Sequence, residues 1–90
     1  MEYNDEEIKA TILYNLRRKK VIGGKHTHFD TLTNGFPSHL GKDIKKIAQQ
    51  LIREGIIITK SAPYGLQVSL NKNKIKEIDE FIFKILNFRF

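Results

Sequence analysis

The sequence predicts an α+β domain: a three-helix core, then a small antiparallel β-hairpin, then a further helix at the C-terminus. The spacing of apolar residues in three consecutive stretches leads to this prediction. Between residues 41 and 55 apolar side chains recur every three or four positions, which is the period of an amphipathic helix. From residue 56 to residue 70 the pattern is β-branched and then alternating, as in strands. After Asn71 the helical period returns, so the 90 residues are expected to form one small domain.

The first helix is predicted to begin at Asn4 or Asp5, because either side chain can cap a helix. Its apolar residues repeat every four positions, and it is expected to end in the basic run RRKK at residues 17–20. Cations suit the negative end of the helix dipole. Capping and solvation are therefore the preferred interpretation of this run, and contact with a phosphate backbone is the alternative.

The next segment predicts a short second helix over residues 28–34. Thr27 is expected to cap it, with Asp30 three positions later in the manner of a capping box. Residues 25–26 can add a short strand before it. The sequence NGFPS then predicts a turn, and Ser38 is a candidate cap for the third helix.

The hairpin and the last helix follow. The first strand is predicted at residues 56–59 and the second at residues 66–70, joined by an exposed tip with the sequence KSAPYG. Asn71 is a candidate cap for the last helix. Isoleucines spaced along that helix, at positions 75, 78, 82 and 85, are expected to share one face.

The third helix, predicted at residues 41–54, separates its residue types most sharply. On a helical wheel with Lys42 at zero, its apolar side chains fall between about 140° and 280°. The opposite face carries cations and amides: Lys42, Lys45, Lys46, Gln49 and Arg53, with Gln50 at its edge. Gly55 is expected to end the helix. A lysine-rich face is usually only a solvated face, but glutamine can pair with an adenine edge while lysine and arginine neutralise phosphates.

Composition favours a polyanionic partner. Sixteen Lys plus Arg stand against ten Asp plus Glu, which gives a formal net charge of +6. Nucleic acid or an anionic membrane would fit such a surplus, and solubility alone is the plain alternative. The longest apolar run, residues 55–59, is too short to span a bilayer, and the acidic start MEYNDEE does not fit a secretory signal. A cytoplasmic protein with no membrane contact is therefore expected.

Residues from about 27 to 70 resemble a winged helix-turn-helix domain. The resemblance is carried by the segments THFDTL, NGFPS, KDIKKIAQQLIREGII and GLQVSL, in that order. The whole chain resembles small archaeal winged-helix proteins of the transcription-regulator kind. The resemblance implies a winged-helix domain at 1–70, with helix 41–54 as a recognition helix in the major groove of double-stranded DNA. Residues 71–90 would be an added helix.

The resemblance also implies a set of contacts. Phosphates would be met by the cations of the recognition helix: Lys42, Lys45, Lys46 and Arg53. Base edges would be met by its amides, Gln49 and Gln50. Further backbone contacts would come from residues at two helix starts and on the hairpin: Lys25, Thr27, Ser38, His39, Lys60 and Tyr64.

The C-terminal segment DEFIFKILNFRF has more aromatic residues than one small core can bury. The surplus predicts a homodimer formed through the last helix, which would present two recognition helices to two DNA half-sites. The residues expected at that contact are Phe81, Phe83, Ile85, Phe88 and Phe90. The alternative is that Phe88 and Phe90 fold back onto the domain's own core.

Other functions find weaker support in the sequence. No nucleophile-and-base arrangement, phosphate-binding glycine loop or paired carboxylate is recognisable, so no enzyme and no cofactor are expected. His26, His28 and His39 with Asp30 match no established metal-ligand spacing, and the chain has no cysteine, so no metal site is expected. A protein-docking module remains the main alternative to DNA binding, followed by RNA binding.

Overall fold

The computed structural model describes residues 3–89 and shows an α+β fold. Its helices are α1 (Asp5–Arg18), α2 (Gly41–Arg53) and α3 (Ile75–Leu86). Its strands are β1 (Thr27–His28), β2 (Ile57–Ala62) and β3 (Gly65–Leu70). Short 3-10 helices lie at Phe29–Thr33, Ser38–Leu40 and Lys72–Lys74. In the described part of the chain, none of the helices has the length and apolar character needed to cross a membrane.

The three strands form one antiparallel sheet in the order β1-β3-β2. The hairpin β2–β3 pairs from Ile57 opposite Leu70 to Ala62 opposite Gly65. The short strand β1 adds to the other edge of β3, with Thr27 opposite Val68. Side chains alternate between the two faces of a strand, so Ile57, Val68 and Leu70 all point to the core.

All three helices bury their apolar faces in a single core together with the sheet. The fully buried side chains include Ile8, Ile12, Leu13, Ile44, Leu51, Ile57, Val68, Leu70, Ile78 and Ile82. Each such side chain contributes about 1.5–3 kcal/mol relative to leaving it exposed. The helix predicted at 71–90 is thus part of this core, where α3 packs against α1. Arg17 of α1 and Asp79 of α3 also form an ion pair, with Nε 2.9 Å from Oδ1.

The predicted helix ends are confirmed at two places. Asn4 caps α1 in a capping box, since its side chain accepts from the Glu7 amide at 2.8 Å and the Glu7 carboxylate accepts from the Asn4 amide. Gly55 closes α2 with a φ of +74°, and the Ile56 amide donates to the Leu51 carbonyl at 3.0 Å. This is the Schellman arrangement, in which a left-handed residue satisfies the last carbonyls of a helix.

The first helix ends within the basic run, as predicted. It stops at Arg18, and Lys20 takes the left-handed position with a φ of 58°. The amide of Val21 then donates to the Leu16 carbonyl at 3.0 Å, so α1 also ends in a Schellman arrangement. The basic run therefore continues past the helix into the loop.

The predicted second helix is wrong in type and in cap. Residues Phe29–Thr33 form a 3-10 helix, and Thr27 lies in β1 instead of capping it. Two threonine hydroxyls explain the change. That of Thr31 donates to the His28 carbonyl at 2.7 Å, and that of Thr33 donates to the Asp30 carbonyl at 3.0 Å. Such local bonds compete with regular α-helical hydrogen bonding. The short strand falls at 27–28 instead of 25–26 for the same reason, since the helix does not begin at Thr27.

Two further expectations are corrected. Ser38 does not cap α2: it starts a 3-10 turn that runs into the helix, and the cap position belongs to Leu40, which makes no side-chain cap bond. The hairpin is longer than predicted, because pairing continues to Ala62 and leaves only residues 63–64 as the tip. Lys60 therefore lies within β2 and not in the turn.

Asn71 joins three elements at the base of the hairpin. Its side chain accepts from the Asn73 amide at 3.0 Å, which caps the 3-10 turn that leads into α3. Its own amide nitrogen Nδ2 donates to the Gly55 carbonyl at 2.9 Å, and its backbone amide donates to the Ile56 carbonyl. The end of α2, the hairpin and the start of α3 are thereby held in one fixed arrangement.

Candidate nucleic-acid interface

The orientation of α2 is fixed by its apolar face. Ile44 and Ala48 have no exposed surface, and Leu51 is 1% exposed. Ile47 is buried beside them, and Ile52 is half-buried against the same core. Because these side chains occupy one side of the helix, the other side must face solvent.

The outward face of α2 is cationic and amidic. Every side chain predicted for it is exposed: Lys42, Lys45, Lys46, Gln49, Gln50 and Arg53. Among residues 3–89, the ion pairs join Arg17 to Asp79 and Lys74 to Glu77, so no cation of α2 is neutralised by an acid. Asp43 is exposed as well, but the wheel places it at the flank of this face. We call these six exposed side chains the α2 ridge.

The N-terminal end of the ridge borders an open cleft. The cleft has a volume of about 550 Å³ and is lined by backbone and side chains from residues 33–38, together with Asp30, Gly41 and Lys45. Ser38 and His39 are both exposed next to it. A helix start attracts anions because its first amides point outward. The carboxylate of Asp30, which also lines the cleft, acts against that attraction.

The outer face of the sheet carries a second group of polar residues, of which Gln67 is half-buried. Lys60 on β2 pairs with Gln67 on β3, and Gln67 pairs with His28 on β1, so the three lie in one row on the outer sheet face. Tyr64 at the tip is 70% exposed, and its ring lies 5.6 Å from that of His28. The sequence predicts Lys60 and Tyr64 as contact residues, but it does not indicate that Gln67 and His28 lie beside them. The hairpin register would have indicated Gln67, whereas the pairing of β1 has no clear sequence signal.

The two candidates before the first 3-10 helix differ from each other. Lys25 is exposed in the loop between α1 and β1. Thr27 is half-buried, and its hydroxyl oxygen lies 3.2 Å from that of Thr31. Its hydroxyl is therefore occupied within the fold, and Lys25 is the better candidate for contact with a partner.

The aromatic residues of the tail have intrachain partners. Phe81 is half-buried and packs against the core, and the Lys9 ammonium lies 4.7 Å from its ring centre. Phe83 is 36% exposed, with the Arg89 guanidinium 3.8 Å from its ring centre. Cations over aromatic faces are attracted by the ring quadrupole. Part of the predicted surplus is thus covered by long cationic side chains of the same chain.

The last residues of the tail also contact α1. Phe88 is 42% exposed, and its ring meets that of Tyr14 edge-on with the centres 5.0 Å apart. Ile85 is half-buried, and Phe90 lies outside the described residues. The contact of Phe88 agrees with the fold-back alternative for that residue.

The homodimer through α3 stays a prediction. Light scattering tests it directly, because a dimer would have twice the 10.5 kDa mass of one chain. If the dimer forms through the tail, replacing Phe83 and Phe88 by serine should shift the mass towards one chain. A single-chain mass for the unaltered protein at micromolar concentration would contradict the dimer.

Within residues 3–89, no three His, Cys, Asp or Glu side chains lie close enough together to hold a metal ion. Comparisons of the chain with protein-family models, curated proteins and solved structures found no match. The candidate interface therefore rests on the residues and their geometry: a rigid helix that presents cations and amides along one exposed face.

Proposed function

We propose that the protein binds double-stranded DNA through the α2 ridge and acts as a transcriptional regulator of the winged helix-turn-helix kind. One observation carries the proposal. Within residues 3–89 the exposed ridge cations have no acidic partner, and the helix that bears them is held by its buried opposite face. Uncompensated cations on a rigid element favour a polyanion.

The element order supports the winged-helix interpretation. A helix, a short strand, a turn region, the ridge helix and a hairpin follow one another, and the sheet is antiparallel with β3 in the centre. This arrangement is compatible with a winged helix. It differs from the expected one in its second helix, which is a 3-10 helix at Phe29–Thr33.

The proposed roles follow from side-chain chemistry. Lys42, Lys45, Lys46 and Arg53 contact phosphates, so that binding releases counterions and weakens as salt rises. Gln49 and Gln50 lie on the same exposed surface, where an amide can donate to and accept from an adenine edge. Lys60 and Tyr64 on the hairpin provide secondary contacts with the backbone.

Duplex DNA fits the ridge better than duplex RNA does. The major groove of B-form DNA is wide enough to admit an α-helix. The major groove of A-form RNA is deep and narrow, and side chains cannot read it. A protein-docking role would depend instead on exposed apolar surface. At the tail, Lys9 and Arg89 lie over the rings of Phe81 and Phe83 and reduce that surface.

Gel retardation with a random-sequence duplex tests the proposal. The double variant Lys45→Gln/Lys46→Gln removes two charges from the ridge. The matched control Lys76→Gln/Lys84→Gln removes two exposed charges from α3 and leaves the same net charge. Affinity is measured at several salt concentrations between about 50 and about 200 mM.

The expected result is a salt dependence whose slope falls by about 2 for the ridge variant and stays unchanged for the control. Equal losses in both variants would mean that net charge alone causes the binding. The absence of retardation at the lowest salt concentration would reject DNA binding altogether.

A further inference from the structure

A second basic cluster surrounds the loop that follows α1. Its members are four exposed lysines and one exposed arginine that lie outside the proposed ridge: Arg18, Lys19, Lys20, Lys25 and Lys72. The Arg18 guanidinium also lies 5.9 Å from the centre of the Tyr14 ring. The aliphatic part of Lys72 lies beside Gly23, with its Cδ 3.9 Å from the position that a Cβ of that residue would occupy. We call these five side chains the loop cluster.

Helix capping accounts for only part of the loop cluster. The dipole effect of a helix falls off within its last turn. Arg17 and Arg18 occupy the last turn of α1, whereas Lys20 and Lys25 lie beyond it, and Lys72 belongs to a different segment. Arg17 in addition is paired with Asp79, so its charge already has a structural use. The cations that remain need another explanation.

The backbone conformation of Lys20 is a second indication that helix capping does not explain this lysine. Lys20 has a φ of 58°, in the left-handed position that ends α1. Glycine is the usual residue there because any Cβ is unfavourable in that conformation. The corresponding position after α2 is indeed a glycine, Gly55, with a φ of +74°. A lysine at such a position lowers the stability of the fold. Its exposed side chain adds a positive charge to the surface.

The surroundings of the loop are open. Gly24 is exposed, and no heavy atom lies within 4 Å of the position that a Cβ of that residue would take. Among the ion pairs of residues 3–89, none includes a member of the loop cluster. The backbone at Gly24 is therefore open to an approaching phosphate.

The loop cluster and the α2 ridge are neighbours across the first 3-10 helix. Lys19 lines a small cleft with Thr27, Thr31 and Asn34. Lys45 lines the cleft at the start of α2, and Asn34 lines that cleft too. The two clefts thus share Asn34, with Lys19 lining one and Lys45 lining the other, and the Cα atoms of the molecule extend over only 36 Å. One turn of duplex DNA has about the same length, roughly 34 Å.

We infer that the loop cluster is a second phosphate-contact site, which binds the backbone of the same DNA duplex that the α2 ridge enters. This inference rests on the proposed function and extends it from one helix to a broader surface. Lysines on a flexible stem suit this task, since they act as point charges on phosphates without reading bases. The loop cluster should therefore raise affinity for every sequence to the same degree.

The test compares three variants of the whole chain with the unaltered protein. The loop variant carries Lys19→Gln, Lys20→Gln and Lys25→Gln, which leaves Lys72 and its packing on Gly23 in place. The ridge variant and the α3 control are those used for the proposed function. Circular dichroism establishes that each variant is folded, and the salt dependence of affinity for a random duplex of about three helical turns is then measured.

The expected result is a slope that falls by about 3 for the loop variant, about one for each lysine removed, with the same change for different DNA sequences. A loop variant that behaves like the α3 control would overturn the inference, and the ridge variant would still report on the proposed function. An unaltered protein that fails to bind duplex DNA would overturn both. A loss confined to one DNA sequence would also contradict a role in phosphate contact.

Discussion

The helices α2 and α3 solve the same packing problem and differ in what they present to solvent. Each places isoleucine or leucine side chains with almost no exposed surface in the common core. Their outer faces are unlike. In α2 the charged residues are Lys42, Asp43, Lys45, Lys46 and Arg53, so the sum is 4 − 1 = +3. In α3 they are Lys76, Glu77, Asp79, Glu80 and Lys84, so the sum is 2 − 3 = −1.

The difference teaches that burial fixes the direction of a helix face but leaves its chemistry open. Mixed signs on α3 are what a solvated surface needs, and they also serve internal contacts such as the pair of Asp79 with Arg17. The charges of the α2 ridge have a single sign, and none of them takes part in an ion pair within residues 3–89. A surface whose charges have no intramolecular use is the better candidate for a partner.

The largest expected effect tests whether the buried faces of α2 and α3 contribute equally to the stability of the fold. Leu51→Ala in α2 and Ile82→Ala in α3 each remove a side chain that is at most 1% exposed. Each should lower the free energy of unfolding by about 2–5 kcal/mol, because both the transfer energy and the filled space are lost. Urea denaturation monitored by circular dichroism measures this change.

Gln50→Ala provides the control, because an exposed side chain on the same helix should change stability by less than about 0.5 kcal/mol. A cost below about 1 kcal/mol for Ile82→Ala would break the comparison. It would mean that α3 is not anchored in the core and that residues 71–90 form a separate unit.

Periodicity was sufficient to predict the parts of the fold that depend on burial. The helix at Gly41–Arg53, its cationic face and its end at Gly55 are confirmed, as is the capping of α1 by Asn4. These features depend on residues within one or two turns of each other. The exposure of the ridge follows from the same pattern, since a strong apolar stripe determines which face is turned outward.

The features that were missed depend on local competition or on distant pairing. The hydroxyls of Thr31 and Thr33 turn the expected second helix into a 3-10 helix, and no periodic signal reveals that outcome. The pair Arg17–Asp79 joins residues 62 positions apart. For the basic run at 17–20 the sequence favours a helix end over phosphate contact, because the position of Lys72 beside this loop becomes visible only once the chain is folded.

The smallest expected change in stability concerns the residues that end α2 and α1 in the left-handed conformation. Gly55→Ala at the end of α2 places a Cβ on a backbone with a φ of +74°, and should cost about 1–2 kcal/mol. Lys20→Gly at the end of α1 does the reverse at a φ of 58°, and should raise the free energy of unfolding by up to about 1 kcal/mol. Thermal or urea denaturation measures both changes.

The variant Lys20→Gly separates a structural role of Lys20 from a role in binding. If Lys20 serves only the helix end, Lys20→Gly stabilises the protein and leaves DNA affinity unchanged. If its charge contacts a phosphate, the same variant is more stable and yet loses about one unit of salt slope. A variant that is less stable than the unaltered protein would show that the lysine side chain packs in a way that the exposed loop does not indicate. The sign of two measurements on one residue thus decides whether stability at this helix end has been given up for binding.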